Sequence, residues 1–192
     1  MSRHHSPLTG REISFGEEEI LVSKTELSGV ITYANTVFQR VSSYTESELI
    51  GQPHNILRHP AMPRAVFKLL WDTIQNRREI FAYVLNRAKH GDEYWVFAHI
   101  TPSFGMDGKL NGYHSNRRFA YRDAIAKVTR LYQQMLHEEQ QHARAVDAMA
   151  ASTRLLQQEL ERNGQSYDEF VFNLSAKTTL DSTLHPRKHS LS

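Results

Sequence analysis

The chain has 192 residues, 40% of them hydrophobic and 10% aromatic, which is enough for one core of ordinary size with some chain to spare. Its 23 Lys and Arg against 21 Asp and Glu give a net charge of +2, too small to argue for nucleic acid. No cysteine is present, which excludes disulfides, thiolate metal sites, iron–sulfur clusters and a cysteine nucleophile.

The N-terminal stretch MSRHHSPLTGREISFGEEE has no apolar core of the kind a signal peptide needs. No window reaches the ~18 apolar residues of a membrane span. A soluble, cytoplasmic protein is expected, with residues 1–17 as a flexible segment. The runs EEILVSKTE and VITYA, joined by LSG, predict a hairpin with its turn at Leu27–Gly29. NTVFQRV predicts one or two helical turns. Thr45 followed by Glu48 is a capping box, and Gly51 ends that short helix. Pro63 suits the first position of a longer helix, in which Val66, Phe67, Leu70, Trp71 and Ile74 recur at helical spacing up to Asn76. The runs IFAYVLNRA, EYWVFAHITPSF and KLNGYHSNRRF, separated by KHGD and GMDGK, predict three more strands joined by hairpin turns. Residues 18–118 therefore predict one α+β domain, a five-stranded antiparallel sheet with short helices on one face.

Beyond residue 118 the composition changes. From Tyr121 to Asn163 there is no Pro or Gly, and the segment 119–163 predicts one long helix. Ile125, Val128, Tyr132, Met135, Val146, Met149, Leu156 and Leu160, with Glu139, His142 and Thr153 as polar members, alternate three and four apart. That is the spacing of a coiled-coil seam, and it predicts a homodimer. Gly164 breaks the helix. A second capping box, Ser166 to Glu169, opens a short amphipathic stretch whose Tyr167, Phe170, Val171 and Leu174 share a face. This stretch is expected to fold back on the long helix or to dock on a partner. Ser175–Ser192 is expected to be disordered, within a tail segment 164–192.

The block HNILRHPAMPRAVFKLLW, His54–Trp71, concentrates chemistry. Arg58, His59 and Arg64 are cationic donors suited to a phosphate or another anion. Phe67 and Trp71 offer flat apolar surface on the adjacent helix. Asn35 and Asn86 are side-chain amides able to read the polar edge of a ring. Together they match the needs of a buried dinucleotide with an aromatic head. Spacing alone equally allows a basic surface loop beside an ordinary helix, with Trp71 in the core.

The order of motifs ITYAN, GQPHN, RHPAMP, NRAKHGDEYWV and GYHSNRR resembles a PAS sensor domain over about residues 20–118. Within that superfamily it is similar to the PAS domain of bacterial aerotaxis, or energy-taxis, receptors. The resemblance implies a PAS fold, noncovalent FAD and signalling of its redox state. It implicates Asn35, Arg58, His59, Trp71 and Asn86: Arg58 and His59 along the FAD chain, Trp71 near the flavin and Asn86 at the polar edge of the ring. The cysteine-free chain cannot use covalent cysteine–flavin photochemistry. It departs from the family pattern at Ala61, usually Asp, at Ile80 and Ala82, usually Trp and Gly, and at Ser43, usually Gly. Ile80 and Ala82 would reshape the pocket near the ring.

No membrane anchor, signalling hairpin, kinase domain or cyclase domain is expected in this chain. A signalling partner is therefore expected, a chemoreceptor or kinase engaged through the C-terminal helix or Tyr167–Leu174. The alternative is a cofactor-free PAS adaptor for dimerisation and protein–protein interaction. Haem is the less favoured cofactor, with His59, His99 or His114 as its axial ligand. The 11 histidines show no zinc-type spacing with a carboxylate, and no metal site is expected. No GxSxG, phosphate loop or carboxylate pair points to catalysis, so no enzyme is expected.

Overall fold

The computed structural model describes residues 6–181. Strands β1 (Leu21–Thr25) and β2 (Ile31–Ala34) come first. Helices α1 (Thr36–Ser42) and α2 (Glu46–Leu49), a 3-10 turn at His54–Leu57 and α3 (Arg64–Gln75) follow. The chain then runs through β3 (Ile80–Arg87), β4 (Glu93–Phe104) and β5 (Leu110–Phe119). The five strands form one antiparallel sheet in the order β2-β1-β5-β4-β3. This is the α+β architecture that the strand and helix patterns predict.

Local chemistry explains the breaks. Asn35 Oδ1 accepts from Phe38 N at 2.9 Å and Val22 N at 3.0 Å, and its Nδ2 donates to Ile20 O at 2.8 Å. One side chain thus starts α1 and ties it to β1. Thr45 N donates to Glu48 Oε2 at 3.0 Å, closing the box that opens α2. Ser43, at the C-terminal end of α1, sits at φ 60°, a left-handed conformation that favours glycine.

The C-terminal part departs from the expected single helix. The chain breaks at Gln141–Arg144, and α4 (Arg122–Gln140) and α5 (Ala145–Arg162) form a helical hairpin. No Pro or Gly marks the break. Tertiary packing selects it, because Ala148, Ala151, Ser152 and Leu156 become buried as α5 packs on α3 and α4. Part of the expected dimer seam packs within the chain: Ile125, Val128, Tyr132 and Met135 are buried in its own core together with Leu156. Tyr132 Oη donates to Tyr83 O at 2.7 Å, satisfying a carbonyl on the edge strand β3.

Helix α6 (Tyr167–Asp181) folds back on α4 and β3. Its Tyr167, Phe170, Val171 and Leu174 join the core, so this face is closed inside the chain and is not a free docking peptide. Phe172 covers Phe81 at 4.8 Å between ring centres. The sequence predicts disorder from Ser175; α6 runs to Asp181, and 182–192 lie outside the described residues.

The N-terminal segment is also held down from residue 6 onward, contrary to the expected flexibility, which for residues 1–5 lies outside the described range. Ile13 N donates to Glu93 O at 2.7 Å, Arg11 grips Asp92 at 2.5 Å, and Phe15 is buried against Phe119. No helix among the described residues is long and apolar enough to cross a membrane.

Candidate functional site

The sheet's period-2 alternation sends every second side chain of β3, β4 and β5 to one face. Asn86, Ala98, Ile100, Tyr113, Ser115 and Arg117 lie on it, with Ser115 paired to Ser23 on one side and to Ile100 on the other. Above this floor lie His54, Arg58, Phe67 and Trp71. Between floor and roof is a chamber of about 1080 Å³, at the upper end of what small-molecule sites occupy.

The roof depends on one close approach. Gly29 has φ +82°, and a Cβ there would lie 2.8 Å from the Trp71 ring, so the β1–β2 turn can pass Trp71 only as glycine. Trp71 also meets Tyr113 edge-to-face at 5.6 Å.

The floor is unusually polar for its depth. Asn86, Ser115 and Arg117 are 5%, 6% and 4% exposed. Among the described residues, Asn86 Nδ2, Ser115 Oγ and Arg117 Nη1 find no hydrogen-bond partner. A buried polar group left unpaired costs about 1–3 kcal/mol, and three such groups share one chamber.

Arg117 is the strongest of them. Its other nitrogen, Nη2, donates to Ser23 Oγ at 3.0 Å and lies 2.6 Å from His54 Nε2. Its guanidinium stands 5.0 Å from the centre of the Phe38 ring. None of the ion pairs found among the described residues includes it. Burial pulls its pKa down to about 10, which leaves it charged at neutral pH. Burial and then the Arg117 charge push His54 down to about 3. A guanidinium only donates, so neutral His54 accepts at Nε2 and carries its proton on Nδ1. The result is a buried cation facing a cavity without an anion to match it.

Arg58, Trp71 and Asn86 of the expected set therefore come together on the chamber. Arg58 pairs with Asn86 through a backbone bridge, and its guanidinium lies 4.7 Å from the centre of the Phe67 ring. Asn35 and His59 are not on the chamber wall. Asn35 is the clamp between β1 and α1. His59 is buried behind the wall, its Nδ1 accepting from Ala61 N at 3.1 Å and its Nε2 lying 3.2 Å from Glu93 Oε2. It shapes the turn that carries Arg58. His99 and His114, the other candidate haem ligands, also lie off the wall; His99 stacks on Phe81 at 4.1 Å. No group of three or more metal-ligating side chains occurs among the described residues.

Sequence reasoning passed over His54, Ser115 and Arg117 as site residues. The signal was present, since the alternation in GYHSNRR sends Tyr113, Ser115 and Arg117 to one face. The departures at Ala61, Ile80 and Ala82 leave the chamber open. Ala61 is exposed, Ala82 is buried off the wall, and Ile80 packs with Leu70, Ile74 and Tyr113 beside Trp71.

Residues 31–117 match the PAS fold family. This segment is a PAS domain. The chain is 42% identical over 128 residues to the aerotaxis receptor of Escherichia coli, covering 67% of this chain and 25% of that receptor. It is 29% identical over 102 residues to a nitrogen fixation regulatory protein of Klebsiella pneumoniae, covering 53% and 21%. The chain thus spans a quarter or less of these relatives. Among solved structures, the LOV domain of the blue-light photoreceptor Aureochrome1 superposes with a TM-score of 0.51 at 21% identity, covering 60% of this chain and 86% of that one. A light-oxygen-voltage domain studied with a flavin analogue gives 0.52 at 17%, with the same coverage. Both show the shared fold, and the PAS resemblance drawn from the sequence motifs holds. The chain is thus similar in sequence to part of a receptor and to part of a regulatory protein.

Proposed function

We propose that this PAS domain binds FAD noncovalently and reports its redox state to a signalling partner of the chemoreceptor or kinase type, in the cytoplasm and without catalysing a reaction of its own. The observation that carries this reading is the trio of unpaired groups, Asn86 Nδ2, Ser115 Oγ and Arg117 Nη1, in one chamber under an aromatic roof. Among the described residues, no protein group in the chamber satisfies any of the three. A flavin fits, because its pyrimidine edge presents carbonyl and ring-nitrogen acceptors beside a flat apolar body. The similarity to an aerotaxis receptor supports the same choice.

In this arrangement Asn86 and Ser115 would orient the ring's polar edge, Trp71 would cover the ring, and Arg58 would hold the phosphate chain. When bound, a flavin would supply a two-electron couple whose reduced form is anionic when it takes up one proton and neutral when it takes up two. Arg117 would meet that added charge with a buried cation at low dielectric. Arg117 lies two residues before Phe119, the end of β5, and Arg122 opens α4. A change in the pull on Arg117 is thus delivered to the strand that leads directly into the C-terminal hairpin. Signalling requires only that the two redox states favour different positions of α4 and α5 by a few kcal/mol. Spin labels on Gln75 of α3 and Gln157 of α5, both exposed, test this. A distance distribution that changes between oxidised and dithionite-reduced, FAD-loaded protein is expected, and identical distributions would refute the transmission step.

A further inference from the structure

The chamber does not end at the PAS domain. Its wall continues from the polar floor past Arg58 and Arg64 to Glu139 and His142 at the α4–α5 elbow, and to Val146 and Met149 on α5. These last residues lie outside the segment 31–117 that matches the PAS fold. We propose that the α4–α5 elbow is the distal half of a dinucleotide subsite, which takes the adenosine end of FAD and so selects FAD over FMN and riboflavin. This rests on the flavin reading of the inner chamber.

Three observations support it. The first is size, since about 1080 Å³ exceeds what a three-ring head needs and is continuous to the elbow. The second is the composition of the wall, which brings the donors and aromatic surface of the PAS segment, the cations Arg58 and Arg64, and the apolar side chains of Val146 and Met149 onto one cavity. The third is the state of the cations. Arg58 is held close enough to Arg64 for the two guanidinium charges to repel, and neither is among the ion pairs of the described residues. The carboxylate that faces Arg58 is Glu139, whose Oε1 instead accepts from Ala65 N, in the first turn of α3, at 3.2 Å. Two cations at the start of a helix, with the single carboxylate of Glu139 beside them turned to Ala65 N, leave a net positive charge that suits a diphosphate. A diphosphate there directs the rest of the ligand to the elbow. Val146 is apolar yet 63% exposed, which an adenosine over this wall would relieve.

The test uses the full chain, stripped of flavin and titrated separately with riboflavin, FMN and FAD by fluorescence quenching. Wild type is expected to bind FAD at least tenfold tighter than riboflavin. Ala145 is exposed at the first position of α5 and lines the chamber, so Ala145→Trp adds bulk to the outer half alone. It is expected to weaken FAD at least tenfold and to leave riboflavin within twofold. Met149→Ala, which removes wall without adding bulk, is expected to weaken FAD several-fold with riboflavin unchanged, and it serves if the tryptophan variant does not fold. Equal affinities of wild type for the three flavins, or variants that shift all three alike or none, would overturn the elbow subsite while leaving the flavin reading intact. A wild-type chain that binds none of the three would overturn both.

Discussion

Arg117→Met is expected to make the cofactor-free protein more stable and the cofactor bind more weakly. The arginine is 4% exposed, and burial holds its pKa at about 10 against 12.5. At about 1.4 kcal/mol for each pH unit, keeping the charge buried costs roughly 3 kcal/mol. The sign follows from linkage. A cationic group with a depressed folded-state pKa regains stability only as pH rises from about 10 toward 12.5, so the whole burden is present at pH 7. Against it stand the hydrogen bonds to Ser23 and His54, each worth about 1 kcal/mol net, and the contact with Phe38. Removing Arg117 does not strand its partners, because Ser23 Oγ already lies 3.4 Å from His54 Nε2 and can donate to it. Methionine keeps the apolar contact with the Phe38 ring. The balance favours the variant by on the order of 1 kcal/mol. Urea unfolding of flavin-free wild type and variant would read this directly, and FAD titration of the same samples should show affinity lost tenfold or more. A variant destabilised by 1 kcal/mol or more would refute the reasoning, since Arg117 would then be a satisfied structural residue.

Other consequences can be measured on the same protein. Ser43→Gly relieves a left-handed serine at the end of α1 and should raise stability by about 0.5–1 kcal/mol in urea unfolding. Tyr132→Phe removes the hydroxyl that serves the Tyr83 carbonyl and should lower stability by about 1–3 kcal/mol, with faster hydrogen exchange along β3. His54, held down to about 3, binds a proton in the unfolded chain below pH 6.5 but not in the folded one. Stability should therefore fall as pH drops from 6.5 toward 4, by up to about 1.4 kcal/mol per pH unit from this residue. His54→Asn should flatten that slope.

The sequence was most legible where a local signal and the tertiary fold agree. The Thr45–Glu48 box, the LSG turn and the three alternating strand runs each carry a short-range cause, and each element lies where that cause puts it. It was least legible where packing alone decides. Nothing in EEQQHARA announces a turn, and only the burial of Ala148, Ala151 and Leu156 against α3 and α4 selects a hairpin over a continuous helix. The three-four spacing of Ile125, Val128, Tyr132 and Met135 reports a buried face but not which surface buries it. The site was legible in part for a similar reason. Arg58, Trp71 and Asn86 reach the chamber, whereas Asn35 and His59 carry the same chemical types and act on backbone instead. Arg117 and Arg118 are adjacent residues of one type, and only alternation along β5 buries the first and exposes the second.

The most direct measurement is the absorbance spectrum of the purified chain, followed by heat release and mass identification of any chromophore. A yellow protein holding FAD, bleached by dithionite and restored by air, is expected, with colour lost in Arg117→Met and Asn86→Ala. A colourless protein that takes up no added flavin, or one with a haem Soret band, would contradict a chamber built around Asn86, Ser115 and Arg117 for a flavin.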